Sequence, residues 1–168
     1  MKNMALFFLV GFLALNVFPG ETKADEPAQT GNVVVLPGGF QPSITGPKNI
    51  FTGTARIDRL IQPSGEPFIS GGYITFEPGA RTFWHTHPTE QYLFITFGKG
   101  RIGGWNGSVR EVRAGDMVYC PRGVKHWHGA APDAAMTHLA ITGMVDGKNH
   151  DWMEEVTDEQ YNTPILLK

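Results

Sequence analysis

The feature that most restricts this chain is the even spacing of its turn signals. Pro78-Gly79-Ala80, Gly98-Lys99-Gly100, Asn106-Gly107, Ala114-Gly115-Asp116 and Pro121-Arg122-Gly123 recur through the second half of the sequence, with short runs of apolar residues between them. No long helix fits between such breaks, because glycine and proline are the poorest residues in a helix interior. Strands separated by turn signals about every eight to twelve residues belong to a sandwich or barrel. The predicted strands are 51–61, 68–77, 82–87, 91–97, 101–105, 109–112, 116–120, 125–128 and 136–144. Asn106-Gly107 is the sharpest turn signal, since a two-residue type I′ turn needs positive φ at both positions and Asn-Gly tolerates it. With 11 Phe, 4 Trp and 4 Tyr among 168 residues, the chain has the means to build a core, and disorder is excluded.

The two ends read differently. Lys2 precedes a nearly unbroken apolar run over residues 5–18, closed by Pro19-Gly20, and Ala24 stands before Asp25. This is the pattern of a cleavable signal peptide over residues 1–24, too short to span a bilayer as a helix. A periplasmic or secreted protein follows, without a membrane partner once the signal is cleaved. Residues 25–49, rich in Gly, Pro, Thr and Asn around a short apolar run at 33–36, read as an extended arm with at most one edge strand. An arm of this kind could exchange between two barrels, so a homodimer or a higher even oligomer is expected. Residues 50–168 form one all-β domain, and Thr157 with Gln160 three residues later reads as a capping box that opens a short C-terminal helix.

Charge and cysteine usage narrow the function. A net charge of -2 offers no bulk basicity for phosphates, so no nucleic-acid partner is expected. The single cysteine, Cys120, excludes an intrachain disulfide and a multi-thiolate metal site. It stands in an apolar run with no basic cluster beside it, and reads as a buried small hydrophobe.

Five of the six histidines lie between positions 85 and 138. His85 and His87, at i and i+2 on a strand, point the same way and can chelate one ion. Gln91 follows after Pro88-Thr89-Glu90 turns the chain. His126 and His128 repeat the i, i+2 arrangement on a second strand. Imidazole-rich sites without thiolate suit first-row divalent ions such as Mn, Fe, Ni, Cu or Zn. Trp84 and Trp127 alternate with these histidines and should pack outside the barrel, against other strands or a subunit partner. Glu77, Arg81 and Lys125 read as solvated or turn-stabilising charges, and His150 as a loop residue with no role.

The order Gly79, His85-Thr86-His87, Gln91, Gly98 resembles the first motif of the cupin superfamily, with Gln91 where that family usually has Glu. The order Gly115, Pro121, Gly123, His126 resembles the second, with Ala130 where many members have Asn. The resemblance spans residues 68–144 and implies a single-domain cupin, a small β-barrel or jelly roll. It also implies that His85, His87, Gln91 and His126 converge as metal ligands. The stretches around Thr82, Trp84-His85-Thr86-His87-Pro88, Lys125-His126-Trp127-His128 and Met136-Thr137-His138, together with the tail from Asp151, are similar to small bacterial cupins that include manganese-dependent (R)-hydroxynitrile lyases. Those relatives use three His and one Gln, which implies Mn(II), with Fe(II), Ni(II) or Zn(II) as alternatives. Thr142 departs from the Gln that those lyases carry.

A ligand set without a carboxylate leaves a divalent ion its full charge, which favours reactions that build negative charge on a bound small molecule. Cyanohydrin cleavage fits, and it requires a general base. His138, on one face with Ala140 and Thr142, is the candidate, although it could equally orient another ligand through its second nitrogen. His128, Thr82 and Thr142 are the expected groups around the ligands and the small-molecule substrate. An Fe(II)-dependent dioxygenase and a non-catalytic periplasmic small-molecule or metal binder are the alternatives.

Overall fold

The computed structural model describes residues 33, 35–61 and 69–165. The expected signal peptide lies outside the described residues, as do residues 25–32 and 34 of the expected arm and Phe68. Among the described residues, twelve strands and one short helix follow in chain order: β1 (Ile44–Thr45), β2 (Phe51–Thr52), β3 (Ala55–Ile61), β4 (Ile69–Phe76), β5 (Arg81–Thr82), β6 (His85–Thr86), β7 (Gln91–Gly104), β8 (Val109–Arg113), β9 (Met117–Cys120), β10 (His126–Ala130), β11 (Met136–Gly143), β12 (Asp151–Trp152) and α1 (Asp158–Tyr161). The strand order β1-β3-β4-β11-β7-β10-β5-β2 forms one curled sheet, in which β8 and β9 also pair β7, and β6 bridges β10 and β12. The expected all-β barrel architecture is present.

One strand joins the two halves. Residues 91–97 and 101–105 were expected as separate strands across a Gly98-Lys99-Gly100 turn, but they form the continuous 14-residue β7. Its first half pairs β11 and β9, and its second half pairs β10 and β8. The change of partner occurs at Gly98, which has φ 75. A Cβ there would lie 1.9 Å from the Ala135 carbonyl oxygen, so only glycine lets the strand bend against its neighbour. What reads locally as a turn is a bend inside a ladder, and cross-strand pairing decides between the two. Asn106-Gly107 also departs from expectation: Gly107 has positive φ and Asn106 does not. The Asn106 side chain instead accepts hydrogen bonds from the Ser108 backbone N–H and hydroxyl, a side-chain-closed turn.

Alternation along β7 buries Gln91, Leu93 and Ile95 and exposes Tyr92, Phe94 and Thr96. Leu93 and Ile95 join Phe51, Ala55, Phe76, Ala80, Val112, Ala130 and Met136 in the main core. Within the described part of the arm one short strand, Ile44–Thr45, pairs β3, as an arm with at most one edge strand allows, and Val33, Val35 and Leu36 are strongly exposed.

A second cluster, Trp84, Val109, Trp127, Val156 and Tyr161, packs outside β10. Both tryptophans therefore serve the core. The capping box is present as expected: Thr157 Oγ1 accepts from the Gln160 N–H, and the Gln160 side chain accepts from the Thr157 N–H. Tyr161 donates through its hydroxyl to the Ala130 carbonyl at 2.7 Å, and the guanidinium groups of Arg81 and Arg101 lie 4.7 and 5.1 Å from the centre of its ring. Two charges expected to be solvated are structural instead. Arg81 is buried and donates to the Val156 carbonyl and to Asp158. Lys125 pairs with Glu154 and sits 3.4 Å from the centre of the Trp105 ring. In each case the C-terminal segment supplies a partner more than twenty residues away, beyond the reach of a local reading.

Candidate metal centre

Strand pairing explains how residues forty positions apart converge. His126 on β10 is the register partner of His85 on β6, and Gln91, at the start of β7, is the partner of Thr142 on β11. The ring centroids of His85 and His126 are 4.3 Å apart, those of His85 and His87 5.1 Å, and those of His87 and His126 5.4 Å. His128 lies 5.1 Å from His85 by the same measure. One nitrogen from each of His85, His126 and His128 can be chosen so that all three lie within 4.8 Å of one another, so this group could hold a divalent metal ion. The structure thus adds His128 to the ligand-competent histidines, while His87 and Gln91 flank the same space.

The proton arrangement separates these histidines by chemistry. His85 Nδ1 donates to the Phe83 carbonyl at 2.9 Å, His126 Nδ1 to the Val124 carbonyl at 2.9 Å, and His87 Nδ1 to the Asn149 carbonyl at 2.5 Å. A carbonyl only accepts, so in each ring the proton sits on Nδ1 and Nε2 keeps its lone pair for a ligand. His87 Nε2 is buried and has no hydrogen-bond partner. Gln91 Oε1 lies 3.1 Å from His126 Nε2. The Gln91 amide thus reaches the nitrogen of His126 that is free to face a ligand. On these grounds His85, His87, Gln91 and His126 have the chemistry to hold a divalent ion.

His128 and His138 form a different unit. His138 Nε2 is 3.1 Å from His128 Nδ1, and either ring can supply the proton. His128 faces a cavity of about 500 Å³ that Thr82 and Thr142 also line, whereas His138 does not line it. His138 is fully buried behind His128 and packs on Phe76, with ring centroids 5.6 Å apart. Its Nδ1 has no hydrogen-bond partner.

Burial lowers the pKa of every histidine in the cluster. His126 falls to about 4 and His138 to about 3, in both cases chiefly through desolvation. His85 and His128 lie well below the usual imidazole value, first through burial and then through their histidine neighbours. His87 is lowered by burial as well. Neutral imidazoles are the form that binds a metal. Burial also pushes the Cys120 thiol up to about 12, which fits a hydrophobe rather than a nucleophile.

Three residues of the site escaped the sequence reading. Asn149, His150 and Trp152 all line the cavity. They come from the segment after β11, whose Trp152 is the register partner of His85. The Trp152 ring lies 4.7 Å from that of His85 and 4.9 Å from that of His150. His150 is therefore a half-buried cavity residue rather than a loop residue without a role. Asp146-Gly147, with positive φ at both positions, turns this segment back, and it was the one local signal that could have been read.

A family model described as "Cupin domain" matches residues 72–142. The chain is 55% identical over 123 residues to a protein of Granulicella tundricola named (R)-mandelonitrile lyase, covering 73% of this chain and 94% of the relative. The crystal structure of a cupin-like protein from Thermotoga maritima is similar at a TM-score of 0.68 and 37% identity, over 74% of this chain and 94% of that one. The polyketide cyclase RemF from Streptomyces resistomycificus shares the fold alone, at a TM-score of 0.51 and 20% identity, over 64% of this chain and 75% of that one.

Proposed function

The chain belongs to the cupin family, and on that premise we propose that it is a metal-dependent lyase of the (R)-hydroxynitrile (mandelonitrile) lyase type. The observation that carries the reading is the proton arrangement of the site. Three imidazoles have their Nδ1 atoms tied to carbonyls, beside a neutral glutamine, while a fourth shares its proton with another ring. The name of the Granulicella tundricola relative supports the reaction class. When bound by His85, His87, Gln91 and His126, a divalent ion, Mn(II) in this reading, supplies Lewis acidity undiminished by any carboxylate.

The protein's own groups handle the proton. With a proton on Nδ1 donated to His138, His128 presents Nε2 to the cavity as an acceptor. It takes the hydroxyl proton of an α-hydroxynitrile, the oxygen lone pair becomes the carbonyl π bond, and the carbon–carbon bond breaks. Cyanide leaves with that electron pair, takes the proton back from His128 and departs as hydrogen cyanide with the aldehyde. His128 is the catalytic residue in this scheme because it faces the cavity. His138, the base expected from the sequence, becomes the positioning residue that receives the Nδ1 proton. Thr82 holds the strand carrying His128, its hydroxyl accepting from the His128 backbone N–H at 3.1 Å.

Export belongs to the same proposal and rests on the apolar run over residues 5–18. Pairing with a second copy rests on the exposed Val33, Val35 and Leu36 of the arm and the exposed Tyr92, Phe94 and Tyr119. The test of function is cyanide release from mandelonitrile by the purified protein with and without manganese. Metal-dependent release supports the proposal. Metal uptake with no cyanide release rejects it.

A further inference from the structure

Among the described residues, no carboxylate lines the cavity, and Arg59 is the one lysine, arginine, aspartate or glutamate in its lining. Among the described residues Arg59 has no ion pair. The adjacent Asp58 is held by Arg56 and Ser43. Arg59 is itself exposed, at the edge of the cavity, where a guanidinium raises the local concentration of anions.

Its place in the sheet adds a shape. Ala55, Ile57 and Arg59 share one face of β3, with Ala55 in the core and Ile57 packed against it. Arg59 pairs Gly72, Gly72 pairs Ala140, and Ala140 pairs Leu93, two residues along the strands from the Ser70, Thr142 and Gln91 row and on the same face. From the arginine toward Gln91 the sheet therefore passes over Gly72 and Ala140, with nothing larger than a methyl group. Three strand spacings of about 4.8 Å separate β3 from β7, about 14 Å in all. The side chains at both ends shorten that span to the length of a small molecule, whose middle would lie against Ile57 and Ile74.

We propose that Arg59 selects substrates that carry a carboxylate at the end remote from the reacting hydroxyl. The class is a small hydroxynitrile or hydroxy-carbonyl compound with the carboxylate on an aryl or short alkyl body. The identity of the reacting end rests on the lyase reading, whereas the anion preference rests on the cavity.

The test compares two probes of the same shape, 4-(hydroxymethyl)benzoate and 4-methylbenzyl alcohol, by calorimetric titration of the manganese-loaded protein. The carboxylate should bind at least about tenfold tighter at low salt, a charge-assisted advantage that shrinks as salt rises. Arg59→Gln should bring the ratio to within about twofold, and Arg59→Lys should restore part of it. Equal binding of the two probes overturns the proposal. So does a preference that survives in Arg59→Gln, since the carboxylate would then be held elsewhere, by the metal for example. Cyanide release from mandelonitrile, measured on the same sample, reports on the lyase reading alone. Its failure leaves the probe ratio to decide the role of Arg59.

Discussion

The imidazole of His87 is held by the main-chain carbonyl of Asn149, 62 residues further along the chain, at 2.5 Å. That carbonyl is in turn fixed by its own side chain, since Asn149 Nδ2 donates to Ser70 Oγ at 2.7 Å. A histidine's affinity for a metal depends on the group that holds its other nitrogen. Asn149→Ala is therefore expected to weaken manganese binding about tenfold, within the range for lost partners of ligands. Calorimetric titration of the folded variant measures it, and an unchanged affinity would show that the turn alone positions the carbonyl.

His87 and His128 differ in what their Nδ1 atoms face: a carbonyl in one case, another imidazole in the other. His87→Ala should lose metal on elemental analysis. His128→Ala should retain metal and lose roughly 10²-fold or more in turnover, the scale of a missing acid–base group. Metal loss in His128→Ala, with retention in His87→Ala, would make His128 the ligand instead.

If His138 acts only through His128, replacing it should lower kcat more than it raises KM. His138→Gln, whose amide oxygen can still accept from His128 Nδ1, should fall between the native protein and His138→Ala. Equal KM and kcat effects in both variants would reduce His138 to packing against Phe76.

Acid should destabilise the metal-free protein. The folded-state pKa values of His126 and His138, about 4 and about 3, lie below the unfolded value of about 6.5. Below about pH 6.5 the unfolded chain binds more protons than the folded one, so stability is full above that pH and falls as pH drops toward the folded values. Each histidine contributes a slope of about 1 kcal/mol per pH unit in that window. Urea unfolding at a series of pH values should show the midpoint falling from pH 6.5 to 4. Excess manganese, which binds the neutral imidazoles, should raise the midpoint near pH 6.5.

The C-terminal clamp should matter for stability. Tyr161→Phe removes the hydrogen bond to the Ala130 carbonyl and leaves a buried acceptor, a loss of about 1–3 kcal/mol. Tyr161→Ala also removes the ring that Arg81 and Arg101 lie against and should cost more. Both are read from denaturant midpoints, and a Phe variant as stable as the parent would assign the clamp to Arg81 and its bonds to Val156 and Asp158.

Much of this molecule can be read in the order of its residues, because period-two alternation and turn residues act over a few positions. The β class, the pairing of His85 with His87 and of His126 with His128 on common faces, and the Thr157–Gln160 cap are local consequences of pleat and backbone conformation. Gly98 looks like a turn in isolation because its conformation is the same in a turn and in a bend; only the ladder to β11 distinguishes the two. Tertiary structure alone decided that His138 sits behind His128, that Asn149 and Trp152 close on the site, and that Arg81 is buried while Arg59 is not. Those outcomes depend on which strand becomes whose neighbour. Register partners sixty residues apart leave no mark in either local sequence, and a side chain's exposure is set by what the rest of the chain brings against it.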